Sequence, residues 1–313
     1  MSDSVARSEP SIASANGIEV CYQTFGGRSD PALVLIIGLG AQMVLWPLPF
    51  CEALAAQGRF VIRFDNRDAG RSTRFDGVST PSMAAIFGGL ASGEPPVGPY
   101  ALADMADDVV GLLDALGIER ADVVGASMGG AILQEMLFKA SERVRTATLI
   151  MASSGDPGLP PPTPAALAAL VKPRPSEREA FVAFYLDMWR VLWGGHFAFE
   201  EARMRAEASE TFERSPKPPG VARQMLAIIA SGNRKAALRE VRLPVLVIHG
   251  TEDPLVPVAA GHDLATTIPG ATLEIVEGMG HSLPRGAWDQ MLGAIARHAP
   301  AERDLSPPNP PRS

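Results

Sequence analysis

Short continuous apolar runs alternate along the chain with longer segments whose apolar residues recur at helical spacing. Such runs, bounded by turn residues, are typical of strands buried on both faces of a parallel sheet, and the helical spacing is typical of amphipathic helices that cover it. Core strands are predicted at residues 32–37, 60–64, 122–124, 146–152, 244–250 and 272–276. Helices are predicted at residues 46–57, 103–116, 130–139, 257–267 and 285–298. Because strands and helices alternate steadily, we expect an α/β fold with a doubly wound, mostly parallel sheet.

The N-terminal part of the chain departs from this alternation. Residues 11–14 and 18–25 flank Asn16-Gly17, a dipeptide that favours a tight turn between two antiparallel strands. The sheet is therefore predicted to begin with an antiparallel hairpin. Residues 76–99 are rich in Gly, Pro and Ser, and we expect irregular structure there with one short helix.

The alternation of strands and helices is interrupted at residues 153–243. A proline-rich stretch begins this segment, and helical patterns follow at residues 177–193, 199–214 and 221–230. We predict that 153–243 is a helical lid, or cap. It is inserted into a sheet core made of residues 11–152 and 244–298. Residues 1–10 and 299–313 are predicted to be disordered tails.

Aromatic residues at helical spacing in the predicted lid are candidates for lining a substrate pocket. Trp189 and Trp193 belong to this set, and His196 follows two glycines in the next loop. All three are candidates for substrate contact. The alternative is that the aromatic residues pack the lid against the core and that His196 is an ordinary loop residue.

Residues 125–129, Gly-Ala-Ser-Met-Gly, place a serine where an apolar run changes into a helix. A serine on a sharp strand-to-helix turn has a strained backbone, and glycines on both sides remove side chains that would collide. The turn exposes the hydroxyl at a helix N-terminus, where free backbone N–H groups favour a developing negative charge. Ser127 is therefore the candidate nucleophile of an acyl-transfer reaction. A plain glycine-rich turn is the alternative.

A serine nucleophile needs a base to accept its proton and an acid to orient that base. Of the five histidines, His281 is the best candidate base, because it follows a sheet strand in a glycine-bounded loop. Asp253 directly follows the preceding strand and is the candidate acid. The order Ser127, Asp253, His281, each after a strand, is the order expected for this triad on a doubly wound sheet.

The loop after the strand at 32–37 is the expected partner of the serine turn. An oxyanion hole needs two backbone donors aimed at the developing charge. We predict that these are the N–H groups of Met128, directly after the nucleophile, and of Leu39 in this loop. The charged loop at 65–72 ends at the same sheet edge, and we predict a turn tied together by Asp–Arg hydrogen bonds there.

Composition and charge narrow the class of partner. The 313 residues are 46% hydrophobic and 20% charged, which is ordinary for a globular protein. The net charge of −7 argues against nucleic acids and anionic membranes, because both are bound by clustered Lys and Arg. We find no signal peptide, membrane span or metal-ligand cluster, and expect Cys21 and Cys51 to be buried free thiols. These features predict a cytoplasmic protein that acts on a small molecule, and they leave a homodimer open.

Four motifs resemble those of the α/β-hydrolase superfamily, and the resemblance spans residues 11–298. They are VVGASMGG at 123–130, FDNRDAGRS at 64–72, PVLVIHGTEDPLVP at 244–257 and EGMGHSLP at 277–284. The chain looks most like lid-bearing bacterial serine ester hydrolases related to aclacinomycin methylesterase, which share its GLG turn, its DNRDAGRS loop and the Trp46-Pro47 pair. It departs from many members at Ile37, where they have His. A serine at the nucleophile position excludes haloalkane dehalogenases and soluble epoxide hydrolases, which use an aspartate.

The resemblance implies a cofactor-free hydrolase with Ser127 as nucleophile, His281 as base and Asp253 as acid. We predict hydrolysis of a moderately apolar acyl or aryl ester of small to medium size, or of a methyl ester, through an acyl-enzyme. With the same triad, the bond could instead be a carbon–carbon bond, a lactone or an N-terminal peptide bond, and a non-catalytic ligand-binding protein is a further alternative. A peptidase would need lid carboxylates to hold a free amine. The candidates are Glu200, Glu201 and Glu207.

Overall fold

The computed structural model describes residues 5–93, 97–215, 217 and 220–301. Strands within these ranges form one eight-stranded sheet in the order β1-β2-β4-β3-β5-β6-β7-β8. They are β1 Ser11–Ala15, β2 Ile18–Phe25, β3 Ala32–Ile36, β4 Phe60–Phe64, β5 Ala121–Ala126, β6 Val144–Ile150, β7 Val245–Gly250 and β8 Thr272–Val276. β2 pairs antiparallel with β1 and β4, and all other neighbours are parallel. The predicted α/β fold with an N-terminal antiparallel hairpin is confirmed.

Helices cover both faces of this sheet. Their bounds in the described part of the chain are α1 Leu48–Ala55, α2 Met83–Ser92, α3 Leu102–Ala115, α4 Met128–Lys139, α5 Pro164–Val171, α6 Arg178–Leu192, α7 Glu201–Arg214, α8 Val221–Ser231, α9 Lys235–Leu238, α10 Ala259–Thr267 and α11 Trp288–His298. Every residue of β3, β4, β5 and β7 is buried, as expected for strands that are apolar on both faces. One apolar layer packs α3, α4 and α10 on the sheet, and a second packs α1 and α11.

Helices α5–α9 lie between β6 and β7, and we call residues 153–243 the helical insertion. Helices α6, α7 and α8 correspond to the three helices predicted in this segment. The insertion has an apolar cluster of its own, which includes Phe181, Tyr185, Trp189 and Met204. This cluster joins α5, α6 and α7 at the sheet edge where the strands end.

Three helices differ from the sequence-based expectation, and one of them is the short α9, which no pattern predicted. α5 lies in the stretch that was expected to be a proline-rich connection. Thr163 begins this helix by accepting the Ala166 N–H at 3.2 Å, and Pro164 occupies a position at which a missing N–H costs nothing. α1 begins at Leu48 and not at Trp46, because a residue before proline favours the extended conformation that Trp46 adopts.

The N-terminal segment is ordered further than predicted. Residues 5–10, expected to belong to a disordered tail, run beside β2. The Ser8 N–H donates to the Thr24 carbonyl at 3.0 Å, and the Gly26 N–H donates to the Ala6 carbonyl at 2.8 Å. The predicted tail residues 1–4 and 302–313 lie outside the described residues. Among the helices that are described, none is both long and apolar enough to span a membrane.

Candidate active site

Ser127 lies on the sharp turn between β5 and α4. Its backbone has φ 56° and ψ −120°, a strained conformation for a non-glycine residue. The turn can close because its flanking residues lack side chains. A Cβ on Gly125 would lie 2.3 Å from the Gly129 carbonyl oxygen, and a Cβ on Gly129 would lie 2.2 Å from the Ile36 carbonyl oxygen. The local sequence thus holds the Ser127 side chain at the N-terminus of α4.

The structure brings the three predicted catalytic side chains together. Nε2 of His281 lies 3.0 Å from Oγ of Ser127, and Nδ1 of His281 lies 2.7 Å from Oδ2 of Asp253. Because a carboxylate can only accept hydrogen bonds, the protonated Nδ1 donates a hydrogen bond to Asp253, and the unprotonated Nε2 can accept one from the Ser127 hydroxyl. This chain of contacts is the arrangement that activates a serine nucleophile.

Asp253 is held by a turn directly after β7. Its Oδ1 accepts the backbone N–H groups of Leu255 at 2.9 Å and Val256 at 2.8 Å. His249 supports the same turn, because its Nε2 lies 2.7 Å from the Val256 carbonyl oxygen. It also lies 3.6 Å from Oδ2 of Asp253. Burial lowers the pKa of His249, so the ring is neutral at neutral pH and donates from Nε2.

The loop that carries His281 is tied to the helical insertion. The His281 N–H donates to the Leu192 carbonyl at 2.7 Å, and the Gly280 N–H donates to the Trp193 carbonyl at 3.1 Å. The Ser282 hydroxyl also donates to the Trp193 carbonyl, at 3.2 Å. The position of the candidate base therefore depends on the C-terminal end of α6.

The loop after β3 is held from two sides. The side-chain amide of Asn66 donates to the Ile37 carbonyl at 2.9 Å and so fixes the backbone at the start of the loop. Ile37 occupies the position at which many proteins of the superfamily that the sequence resembles have His. On the other side, Oε1 of Gln224 accepts the Gly40 N–H at 2.7 Å, and its Nε2 donates to the Arg67 carbonyl at 2.8 Å. Gln224 belongs to α8 and is fully buried. Sequence reasoning missed both Asn66 and Gln224 as supports of this loop.

A cavity of about 1180 Å³ opens beside the candidate catalytic side chains. Ser127 and His281 line it, and so do Leu39 and Met128, the two residues predicted to supply the oxyanion-hole N–H groups. Trp189, a predicted substrate contact, also lies on its wall. A ligand in this cavity can therefore reach the serine hydroxyl.

Trp193 and His196, the other predicted substrate contacts, do not line this cavity. Trp193 is 2% exposed, packs edge to face on Phe199 at 5.1 Å between ring centroids, and donates from Nε1 to the Ala198 carbonyl at 3.2 Å. His196 packs edge to face on Phe197, also at 5.1 Å. We therefore assign Trp193 to packing within the insertion and the exposed His196 to an ordinary loop position, its alternative interpretation.

The three carboxylates considered as ligands for a substrate amine are engaged by neighbouring side chains. Glu207 accepts the Tyr185 hydroxyl at 2.5 Å, and burial raises its pKa to about 7. Glu200 and Glu201 pair with arginines of the insertion. None of the three lines the cavity. Within the described ranges, no group of three or more His, Cys, Asp or Glu residues could hold a metal ion.

The charged loop at 65–72 is tied by Asp–Arg hydrogen bonds, as expected, but the arginines come from the helical insertion. Arg214 of α7 donates to Oδ2 of Asp65 at 2.6 Å. Arg223 of α8 donates to both carboxylate oxygens of Asp68, at 2.7 and 2.8 Å. Both aspartates are fully buried. These bonds attach the insertion to the loop that follows β4.

A family model for the α/β-hydrolase fold matches residues 31–284. The chain belongs to the α/β-hydrolase family. Rhodomycin D methylesterase DauP from Streptomyces sp. (strain C5) is 31% identical to this α/β hydrolase, covering 88% of it and 93% of the relative. The 3-oxoadipate enol-lactonase 2 of Acinetobacter baylyi is 28% identical, covering 84% of this chain and 86% of the relative. These matches confirm the predicted family and the hydrolase class.

Solved structures share the same fold. The 2-hydroxy-6-oxo-6-phenylhexa-2,4-dienoate hydrolase of Rhodococcus sp. strain RHA1 aligns with a TM-score of 0.70 at 21% identity, covering 94% of this α/β hydrolase and 99% of that chain. The esterase RhEst1 of Rhodococcus sp. ECU1013 aligns with a TM-score of 0.67 at 20% identity, covering 94% of this chain and 98% of the esterase. At these identities the likeness concerns the fold alone.

Proposed function

We propose that this α/β hydrolase cleaves carboxylic esters through a covalent acyl-enzyme formed on Ser127. The observation that carries the proposal is the contact chain from Oγ of Ser127 through His281 to Asp253, with distances of 3.0 and 2.7 Å. The similarity to a methylesterase at 31% identity supports an ester as the bond that is cleaved. The methyl ester of a larger acid is one substrate of this kind.

In the proposed mechanism, His281 takes the hydroxyl proton as Oγ of Ser127 attacks the ester carbonyl. The carboxylate of Asp253 stabilises the imidazolium that forms. The backbone N–H groups of Met128 and Leu39 hold the oxyanion of the tetrahedral intermediate. His281 then gives the proton to the leaving alcohol. A water molecule, activated by the same imidazole, releases the acid and restores the serine.

We further propose that the helical insertion at 153–243 acts as the lid over this reaction. Its residues form much of the cavity wall, among them Phe181, Met188 and Trp189. A pocket lined by such side chains favours an apolar acyl or aryl group. Sequestering the acyl-enzyme from bulk water also limits side reactions.

The first test is hydrolysis of p-nitrophenyl esters from acetate to decanoate. Ser127→Ala is expected to lower kcat by about 10⁴- to 10⁶-fold, because it removes the nucleophile. Ser141→Ala, at an exposed position outside the cavity, is the matched control and should retain wild-type rates. The chain length with the highest kcat/KM will give the size of the acyl pocket.

Labelling with a serine-directed phosphonate separates the remaining outcomes. Labelled Ser127 without turnover of any ester would mean that the triad acts on another bond, such as a lactone or a carbon–carbon bond. No labelling and no turnover would contradict the assignment of Ser127 as nucleophile.

A further inference from the structure

The cavity is basic although the chain as a whole is acidic. The chain contains 28 Lys and Arg against 35 Asp and Glu. Among the described residues that line the cavity, however, six are Lys or Arg and only one, Asp76, is a carboxylate. Five of the six basic residues belong to one group, which we call the basic end. It consists of Arg74, Lys172, Arg174, Lys217 and Arg223.

Contacts connect four residues of the basic end, and the fifth, Lys172, lines the same cavity. Arg74 and Arg223 pair with Asp76 at 2.9 and 3.4 Å. The Arg74 guanidinium, with smaller contributions from Arg223 and Lys217, lowers the pKa of Asp76. Arg174 donates to the Lys217 carbonyl at 3.2 Å. Arg223 is also paired with Asp68, so two carboxylates, Asp76 and Asp68, face five cations and positive charge is left in excess.

Arg174 carries an uncompensated charge, with no carboxylate partner among the described residues. Its terminal nitrogens donate to the backbone carbonyls of Ser215 and Lys217, at 3.0 and 3.2 Å, and its buried Nε has no hydrogen-bond partner in the part of the chain that the structure describes. The guanidinium lies 4.2 Å from the centroid of the Phe181 ring. Burial, followed by the nearby charge of Arg74, lowers the pKa of Arg174 to about 10. A cation in this setting gains more from an anionic partner than a solvated one does.

We propose that the basic end binds a carboxylate of the substrate, so that the preferred substrates are esters that also carry a free carboxylate. This inference rests on the proposed ester hydrolysis. One cavity is lined by Ser127, His281 and the basic end, so a single molecule can place its ester at the serine and its carboxylate at Arg174. A substrate with a free amine would be repelled by the same charges, which argues against N-terminal peptides.

The kinetic test compares esters that differ only in charge. Monomethyl esters of dicarboxylic acids from succinate to sebacate are compared with the neutral dimethyl esters of the same acids. Acetate esters of hydroxy acids place the carboxylate on the alcohol side instead. In one of these two series, with the carboxylate on the acyl or on the alcohol side, we expect kcat/KM at low ionic strength to be about fivefold higher for the charged ester than for its neutral counterpart. This preference should fall as salt is added, because salt screens the attraction between the carboxylate and the basic end.

Variants locate the source of this preference. Arg174→Gln should bring the ratio of charged to neutral kcat/KM close to one, whereas Arg174→Lys should retain part of it. Arg178→Gln is the matched control, because Arg178 is an exposed arginine of α6 that does not line the cavity. Equal midpoints of thermal unfolding for the two glutamine variants would show that the change in ratio does not come from misfolding.

A binding measurement separates failure of this proposal from failure of ester hydrolysis. Monomethyl suberate is titrated calorimetrically into Ser127→Ala, with and without Arg174→Gln, and Arg174→Gln should weaken binding about fivefold. If the wild type hydrolyses no ester but this difference in binding is found, the basic end binds carboxylates and the reaction is another one. Equal affinities, or equal kcat/KM for charged and neutral esters, would overturn the proposal.

Discussion

Asp253 uses its two carboxylate oxygens for different tasks. Oδ2 accepts a hydrogen bond from Nδ1 of His281, while Oδ1 accepts hydrogen bonds from two backbone N–H groups of the turn that follows β7. A buried carboxylate needs such donors to offset its lost hydration. His249 fixes the far side of the same turn through the Val256 carbonyl. The orientation of the candidate acid therefore depends on a histidine that does not touch the serine.

We predict that His249→Phe lowers both stability and turnover. An aromatic ring is retained, although a somewhat larger one, but the Val256 carbonyl loses its buried donor, which costs about 1–3 kcal/mol of the free energy of unfolding. A looser turn misorients Asp253, so kcat should fall about tenfold with little change in KM. Urea unfolding and ester kinetics measure the two effects. His262→Gln, at an exposed position of α10, is the control. Wild-type unfolding and kcat in His249→Phe would show that this contact is dispensable.

At the scale of elements, α8 connects the helical insertion to the loop that carries Leu39. Gln224 makes this connection with both ends of its amide, to the Gly40 N–H and to the Arg67 carbonyl. The other support of the loop, Asn66, comes from the sheet side. The predicted oxyanion hole is thus held between the core and the insertion, so that a displaced insertion would also displace this loop.

Gln224→Ala is expected to impair turnover more than substrate binding. Removing the amide frees the loop on one side, and a misplaced oxyanion donor weakens the transition state specifically. Complete loss of such a donor costs about 10²- to 10³-fold in kcat, so a displaced donor should cost about tenfold. Steady-state kinetics on the best p-nitrophenyl ester give kcat and KM separately. Gln290→Ala, on the exposed side of α11, is the control. A rise in KM with unchanged kcat would contradict a role in the oxyanion hole.

The elements show why some of the site could be predicted and some could not. The strands and the serine turn follow from local patterns, since apolar runs, glycines and the positions after strands are visible in a few adjacent residues. α5 was missed because its prolines mark a loop when read alone, whereas Thr163 and Pro164 begin a helix. Trp193 and His196 were proposed as substrate contacts because spacing marks a helix face or loop but does not say what that face contacts.

At the scale of the whole molecule, the contacts that join the insertion to the core connect distant parts of the sequence. Arg214 and Asp65 are 149 residues apart, and Arg223 and Asp68 are 155 residues apart. No local pattern pairs such residues, because their meeting depends on how the insertion folds back. Removing one partner of a buried ion pair typically costs about 3–5 kcal/mol, so these pairs help to keep the insertion in place.

The buried carboxyl of Glu207 makes the free energy of unfolding depend on pH. Burial, opposed by the hydrogen bond from Tyr185, raises its pKa from 4.5 to about 7. Between these values the folded state binds more protons than the unfolded state, so the free energy of unfolding falls as pH rises. The loss of unfolding free energy attributable to this group is up to about 3 kcal/mol by pH 8 and is absent below pH 4.5.

Glu207→Gln should therefore match the wild type in urea unfolding at pH 4.5 and be more stable at pH 8. Glu213→Gln, an exposed carboxylate of the same helix, should show no such pH-dependent difference. A Glu207→Gln difference of the same size at both pH values would mean that Glu207 titrates normally in the folded protein.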